Sequence, residues 1–312
     1  DTTVKQVYPV KGKIINTGIR ECTANVLYGD IQVLGRLLKA SIVMRKWKQK
    51  YCIDVAISFM EEFNYLNVLS KGKEKVITRI CTILSQRDEL KGILYHRNMV
   101  RFFYNISDRI IVMSDYARED MHKNYGISYK KLKKIPNPAI RYDKEPIDVK
   151  WEYGAQTIIC MGRLVHVKQH ETIIRAFSYV KIYQKEARLL ILGSGPKKVY
   201  LENLCKKLNV SDSVHFINFT DNVGYYLKHS KVFVMASKVE GFPNSMVEAM
   251  AHGVPIVTTD SPGACGEIIG MKKNIGSRLE IQYCSYGILT PRISEKVKRQ
   301  EALSNEEVLL GK

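Results

Sequence analysis

The sequence predicts an α/β protein made of two doubly wound, mostly parallel sheets. Three observations carry that expectation. Apolar runs of strand length alternate with stretches of helical spacing, the pattern of βαβ units. The alternation breaks once, at Ile135-Pro136-Asn137-Pro138, where two prolines in three residues can continue neither a helix nor a central strand. The length, 312 residues, suits about two domains. The domains are expected over 1–138 and 139–312.

In the first half, Lys13-Ile14-Ile15-Asn16 reads as a short strand. Residues 31–50 read as a helix, with Ile31, Leu34, Leu37, Leu38, Ile42 and Val43 at helical spacing. Strands follow at 54–59 and 75–78, a helix at 88–105, and a buried strand at 108–114 that runs into a helix start at Ser114-Asp115-Tyr116. The second half repeats the alternation more clearly. Its strands are 157–161, 188–192, 214–217, 232–235 and 254–258, and its helices 169–184, 198–208, 222–229 and 245–252. In the first of these helices, Ile173, Ile174, Ala176, Phe177 and Val180 form the apolar face.

Composition narrows the class. Hydrophobic residues are 45% and charged residues 26%, values of a globular chain rather than a disordered one. No run approaches the roughly 20 apolar residues that span a bilayer, and DTTVKQVYPV has no apolar core of a secretory signal. The seven cysteines are odd in number, scattered and without a CxxC pair, which argues against a disulfide framework or structural zinc and fits a reducing compartment. The net charge is +18. Residues 1–150 hold 28 Lys and Arg against 16 Asp and Glu, a net of +12. Two runs stand out, Arg45-Lys46-Trp47-Lys48-Gln49-Lys50 and Lys130-Lys131-Leu132-Lys133-Lys134. Such runs either form a solvated helix face or attract polyanions, of which an anionic membrane surface is the expected partner. Nucleic acid is not expected, because the chain has no zinc-finger spacing, RNP-like strand or basic-aromatic repeat.

Three polar features fall at strand ends in the second half, where open α/β sheets bind ligands. Gly162-Arg163-Leu164-Val165-His166-Val167-Lys168 sets a guanidinium and an ammonium five residues apart across one loop, able to grip a diphosphate or simply to be solvated. Gly193-Ser194-Gly195-Pro196 is a glycine turn that admits close approach to the backbone, or a plain tight turn. Glu240-Gly241-Phe242-Pro243-Asn244-Ser245-Met246-Val247-Glu248 feeds a helix N-terminus, a natural phosphate seat. Glu240 and Glu248 flank it as acceptors for sugar hydroxyls, although Ser245-x-x-Glu248 also matches a capping box, which would make Glu248 structural.

Together these segments resemble the retaining GT-B glycosyltransferases of family 4. Glu240 and Glu248 match the E-x7-E signature, Gly162-Arg163 with Lys168 matches the G-R-x4-K loop, and Leu190-Ile191-Leu192-Gly193-Ser194-Gly195-Pro196 matches the glycine-turn strand. The resemblance covers most of residues 108–290. It implies two Rossmann-like domains facing a cleft, the C-terminal one binding a nucleotide-sugar donor, expected to be a UDP-sugar, and the N-terminal one an acceptor. It implies that Arg163 and Lys168 stabilise the leaving diphosphate, that Glu248 binds the ribose and that Glu240 contacts the donor sugar. The backbone of Phe242, Pro243, Asn244 and Ser245 would cradle phosphate, and Phe219 and Thr220 would lie near the base. No D-x-D motif occurs, so metal-independent transfer without a cofactor is expected. The acceptor is expected to be lipid-linked or a glycan in surface polysaccharide synthesis, and the enzyme to be cytoplasmic and peripheral at the inner membrane face.

The sequence departs from the family in several places. The first strand and Gly-Gly loop of the N-terminal domain are not recognisable, and the chain stops at Glu306-Glu307-Val308-Leu309-Leu310, before the family's closing helices. An incomplete N-terminal domain, from truncation or divergence, is therefore expected. Asn218 stands where the family has glycine. Arg79 is the candidate on the acceptor side, although the family's register points to Cys81. The competing readings are a non-catalytic or truncated sugar-nucleotide-binding module and a GT-B sugar-nucleotide epimerase.

Overall fold

The computed structural model describes residues 29–86, 97–141, 153–154, 156–271, 280–292 and 305–311. The chain divides into two compact units, Asp1–Ile135 and Pro136–Lys312, split inside the double-proline segment. The strand expected at 13–16 and the first part of the helix expected over 88–105 lie outside the described residues.

The first unit runs α1 (Gly29–Lys50), β1 (Val55–Phe59), α2 (Glu61–Leu69), β2 (Lys75–Arg79), α3 (Arg97–Ile106), β3 (Arg109–Val112), α4 (Asp115–Tyr125) and β4 (Leu132–Lys134). The four strands pair in the order β1-β2-β3-β4, all parallel. Helix α4 shows how the sequence sets its limits. The Ser114 hydroxyl accepts the Ala117 N–H at 3.0 Å, and Gly126 closes the helix with a left-handed φ of 67°. Tyr65, Tyr104, Ile80, Ile110 and Met121 are buried in the core.

A polar seam runs through this core. Lys48 Nζ donates to Glu74 Oε1 at 2.8 Å and to Asn67 Oδ1 at 2.7 Å. Asn67 donates to the Ser58 hydroxyl, Ser58 to Asn64 Oδ1, and Asn64 Nδ2 to the Tyr104 hydroxyl at 2.8 Å. Each buried polar group thus meets a partner, which is what makes such burial tolerable. This corrects the reading of the first basic run as purely surface charge, because Lys48 is buried and structural. The second run lies in and beside a strand rather than on a helix face, with Lys130, Lys133 and Lys134 exposed. Leu132, Lys133 and Lys134 form the strand β4, Lys131 donates to the Ser107 carbonyl at 3.0 Å, and Lys134 pairs with Asp115 at 2.7 Å.

The second unit contains β5 (Thr157–Met161), α5 (His170–Tyr183), β6 (Arg188–Leu192), α6 (Lys198–Lys207), β7 (Val214–Ile217), α7 (Val223–Lys228), β8 (Val232–Met235), α8 (Asn244–Ala251), β9 (Ile256–Thr259), α9 (Cys265–Ile268), β10 (Gln282–Cys284), β11 (Gly287–Thr290) and α10 (Asn305–Gly311). The sheet order is β10-β11-β9-β8-β5-β6-β7, parallel except for β10. Helices cover both faces. Ile174, Phe177, Leu189, Ile191 and Leu201 pack on one side, and Ile159, Leu190, Phe233, Met246 and Ile256 on the other. The chain winds outward from β5 through β6 and β7, then returns to place β8 on the other side of β5. The order therefore reverses between β5 and β8, the switch point at whose strand ends such sheets bind ligands.

The final described helix, α10, locks onto α5. Arg175 Nε and Glu307 Oε1 are 2.7 Å apart, with both side chains buried. The elements α9, β10, β11 and α10 add to the repeats expected from the sequence.

Candidate functional site

Two loops leave the sheet at the switch point, and each holds a candidate residue. After β5 the chain passes through Gly162 and Arg163 into a 3-10 turn over His166–Lys168, then through Gln169 into α5. After β8 it passes through Ala236, Ser237 and Lys238 to Glu240. The loops are tied by the Lys238 N–H donating to the Val167 carbonyl at 2.8 Å. Beside that tie, Lys168 Nζ and Glu240 Oε1 lie 2.5 Å apart. Glu240 is buried, with a side-chain exposure of 9%, and the Lys168 side chain is 25% exposed. A charge-assisted bond this short, with one partner buried, ties the ends of the two loops together.

The backbone holds Glu240 as firmly as its side chain does. Glu240 forms a parallel bridge with Gly263, its N–H donates to the Pro262 carbonyl at 3.0 Å, and its carbonyl accepts the Ala264 N–H at 3.2 Å. Gly263 has φ 128°, and a Cβ there would overlap the Glu240 carbonyl oxygen. The loop after β9 thus acts as a backstop for the loop after β8. Cys265 lies behind this contact. Burial, reinforced by the Glu240 carboxylate, pushes its thiol up to about 12.

The glycine turn after β6 meets the loop after β5. The Gly162 N–H donates to the Leu192 carbonyl, and the Leu164 N–H to the Ser194 carbonyl, each at 2.9 Å. A Cβ on Gly193, where φ is 147°, would overlap the Gly162 carbonyl, and one on Gly195 would come 2.6 Å from the Leu164 carbonyl. What these glycines admit on that side is the chain's own backbone, so their requirement for glycine is explained by loop packing.

Helix α8 begins at Asn244, with Pro243 as its cap and no side-chain cap bond. The capping box is therefore not formed, because Ser245 lies inside the first turn rather than at the cap. The Met246 and Val247 N–H groups donate to the Pro243 carbonyl, while by helix geometry those of Asn244 and Ser245 have no intrahelical acceptor. Gly241 and Pro243 are buried, Phe242 and Ser245 half-buried and Asn244 exposed; Glu248 is half-buried one turn into α8. Arg163, in the loop after β5, is exposed. Phe219 and Thr220 sit in the loop after β7, Phe219 being 62% exposed. The Thr220 hydroxyl accepts the Asn222 N–H at 3.1 Å, and Asn218 accepts from Lys198 at 3.4 Å.

Arg79 lies in the other unit, at the carboxyl end of β2. Its guanidinium carbon is 5.3 Å above the Phe59 ring, and its carbonyl accepts from Asn64 Nδ2 at 2.9 Å. Cys81, two residues on, is exposed; partial burial of its sulfur raises the thiol above its usual range.

Two features of the second unit emerge only in the folded chain. Gly263 supports Glu240, and its signal was the Ser261-Pro262-Gly263 turn after a strand. His170, the first residue of α5, is buried, and no hydrogen-bond partner to its Nδ1 is found. Burial, with Lys168 nearby, lowers its imidazole to about 4.

Residues 143–277 match the family model described as glycosyl transferases group 1. An uncharacterized glycosyltransferase of Methanocaldococcus jannaschii is 28% identical over 96% of this chain and 78% of its own length. The Campylobacter jejuni N-acetylgalactosamine-N,N'-diacetylbacillosaminyl-diphospho-undecaprenol 4-alpha-N-acetylgalactosaminyltransferase is 28% identical over 75% of this chain, which spans 66% of that relative. Among solved structures, Anabaena HepE in complex with UDP and glucose superposes with a TM-score of 0.63 at 15% identity, covering 91% of this chain and 72% of HepE. The fold is that of the GT-B glycosyltransferases. Over residues 143–277, then, the chain is similar to the glycosyl transferases group 1 family.

Proposed function

We propose that the protein is a retaining glycosyltransferase of family 4 that moves a sugar from a nucleotide donor, a UDP-sugar, to a lipid-linked or glycan acceptor. The observation that carries this reading is the Lys168–Glu240 pair at the β5/β8 switch point, next to the open N-terminus of α8. In this reading the second unit binds the donor and the first the acceptor. Lys168 and Arg163 take the diphosphate with the N–H groups at the start of α8, Glu240 faces the donor sugar, Glu248 the ribose, and Phe219 and Thr220 the base. Arg79 belongs to the acceptor side.

The chemistry follows from charge. The bond between the anomeric carbon and the diphosphate oxygen breaks, its electron pair leaving with the diphosphate. The growing negative charge meets the Lys168 ammonium, the Arg163 guanidinium and a helix N-terminus, which stabilise the transition state without a metal. The acceptor oxygen bonds to the anomeric carbon on the face the diphosphate leaves, and its proton passes to the departing phosphate oxygen. No separate general base is required.

Two further observations support the acceptor assignment. The Campylobacter relative acts, by its name, on a diphospho-undecaprenol-linked acceptor. The first half of this chain is the more basic, and Arg45, Lys46 and Lys50 on α1 are exposed beside exposed Leu38 and Ile42, suited to an anionic membrane surface. The test is donor cleavage with and without acceptor. Removing Lys168 or Glu248 should lower turnover by about a hundredfold or more. Full turnover by a variant carrying both Lys168→Ala and Glu248→Ala would overturn the assignment, and donor binding without any transfer would favour a binding module.

A further inference from the structure

The Lys168–Glu240 pair has a consequence for what the crevice prefers to hold. A diphosphate that docks on Lys168 meets an ammonium already bonded to a carboxylate at 2.5 Å. Glu240 has little room to retreat. Its side chain is only 9% exposed, and its backbone is fixed on both sides by Pro262, Gly263 and Ala264. Lys168 is the more exposed partner, at the end of a short turn, and its long side chain has more room to turn away.

We infer that Glu240 is an internal competitor for Lys168 and thereby a determinant of selectivity for intact nucleotide-sugar over free nucleoside diphosphate. This rests on the donor-site reading above. A free diphosphate that takes the ammonium leaves a buried carboxylate facing it, short of one charge-assisted bond and repelled by the phosphate. A ligand that also carries a sugar ring brings hydroxyl groups that donate to Glu240 and replace what Lys168 withdraws. Carboxylate and ammonium are then both satisfied only by the complete donor. The same competition weakens the hold on the nucleoside diphosphate once the sugar has gone, which favours product release.

The test is calorimetric titration of UDP into the wild-type chain and into Glu240→Gln, Lys168→Ala and the double variant. Glu240→Gln should bind UDP about tenfold more tightly than wild type, the loss of a competing charged bond. In the Lys168→Ala background the same change should give a clearly smaller gain, because only the repulsion between carboxylate and phosphate is then left to relieve. UDP binding itself reports that each variant is folded, and Glu240→Ala gives the same comparison with a different side chain. Unchanged or weaker UDP binding by both Glu240 variants, with wild-type binding still dependent on Lys168, would overturn this inference and leave the site assignment standing. An equal gain with and without Lys168 would also overturn it, pointing to simple repulsion. UDP binding indifferent to Lys168→Ala would overturn the site assignment and this inference together.

Discussion

Glu240 and Gly263 are paired across a parallel bridge in which the carbonyl of one occupies the space a side chain on the other would need. This contact fixes the loop after β8, and with it the carboxylate that Lys168 meets across the switch point. The site is therefore built from backbone packing between loops, with charge placed on top of it.

The Gly263→Ala variant tests that hierarchy. The added methyl group cannot be accommodated without moving the Glu240 carbonyl, and φ 128° is itself strained for alanine. The expected cost is about 2–4 kcal/mol, read as a lower denaturant midpoint. Donor affinity should fall as well, because Glu240 and Lys168 lose their register. A variant with unchanged stability and unchanged affinity would show that the bridge does not position the carboxylate.

The ion pair between Arg175 and Glu307 makes a different prediction. Both side chains are buried, at 7% and 1% exposure. Removing only one partner strands a buried charge, so Glu307→Ala should destabilise the second unit by about 3–5 kcal/mol. Replacing both, as Arg175→Met with Glu307→Leu, should recover most of that loss, because the desolvation cost disappears with the charges. Denaturation of the single and double variants gives the comparison. Equal destabilisation by both would indicate that packing of α10 on α5, rather than charge, dominates.

His170 predicts a pH dependence. Its folded value is depressed to about 4 from an unfolded 6.5, so between those values the unfolded chain binds more protons than the folded one. Stability from this group is full above about pH 6.5 and falls as the pH is lowered toward 4. At pH 4.5 the loss amounts to about 2–3 kcal/mol. A His170→Gln variant should lack this component, so its stability should fall less than that of wild type between pH 7 and 4.5. Parallel pH profiles would contradict the buried, neutral imidazole.

The sequence was most informative where periodicity and strand-end chemistry coincide. The strands β5 to β9 are short apolar runs bounded by glycine, proline or polar turns, and Arg163, Lys168, Glu240 and Glu248 follow strand ends that could be read directly. Other features depended on tertiary contact. The dyad Ser245-x-x-Glu248 has the spacing of a capping box, yet Pro243 takes the cap position and the helix starts two residues before the one that box would open. Lys48 sits in a run that looks solvated, and only the approach of Asn67 and Glu74 makes it a core residue. The β10–β11 hairpin is short, carries exposed Tyr283 and Tyr286, and has no alternation strong enough to mark it as strand. The role of Gly263 requires knowing that the loops after β8 and β9 touch, a contact between segments separated by α8 and β9.

The central claim is that the loops after β5 and β8 and the N-terminus of α8 form one diphosphate seat. A crystal structure of the chain with UDP tests it most directly. The account predicts the two phosphates between Lys168 Nζ and the first turn of α8, with the ribose near Glu248. Nucleotide bound elsewhere on the second unit, with Lys168 still held by Glu240 and α8 untouched, would contradict it.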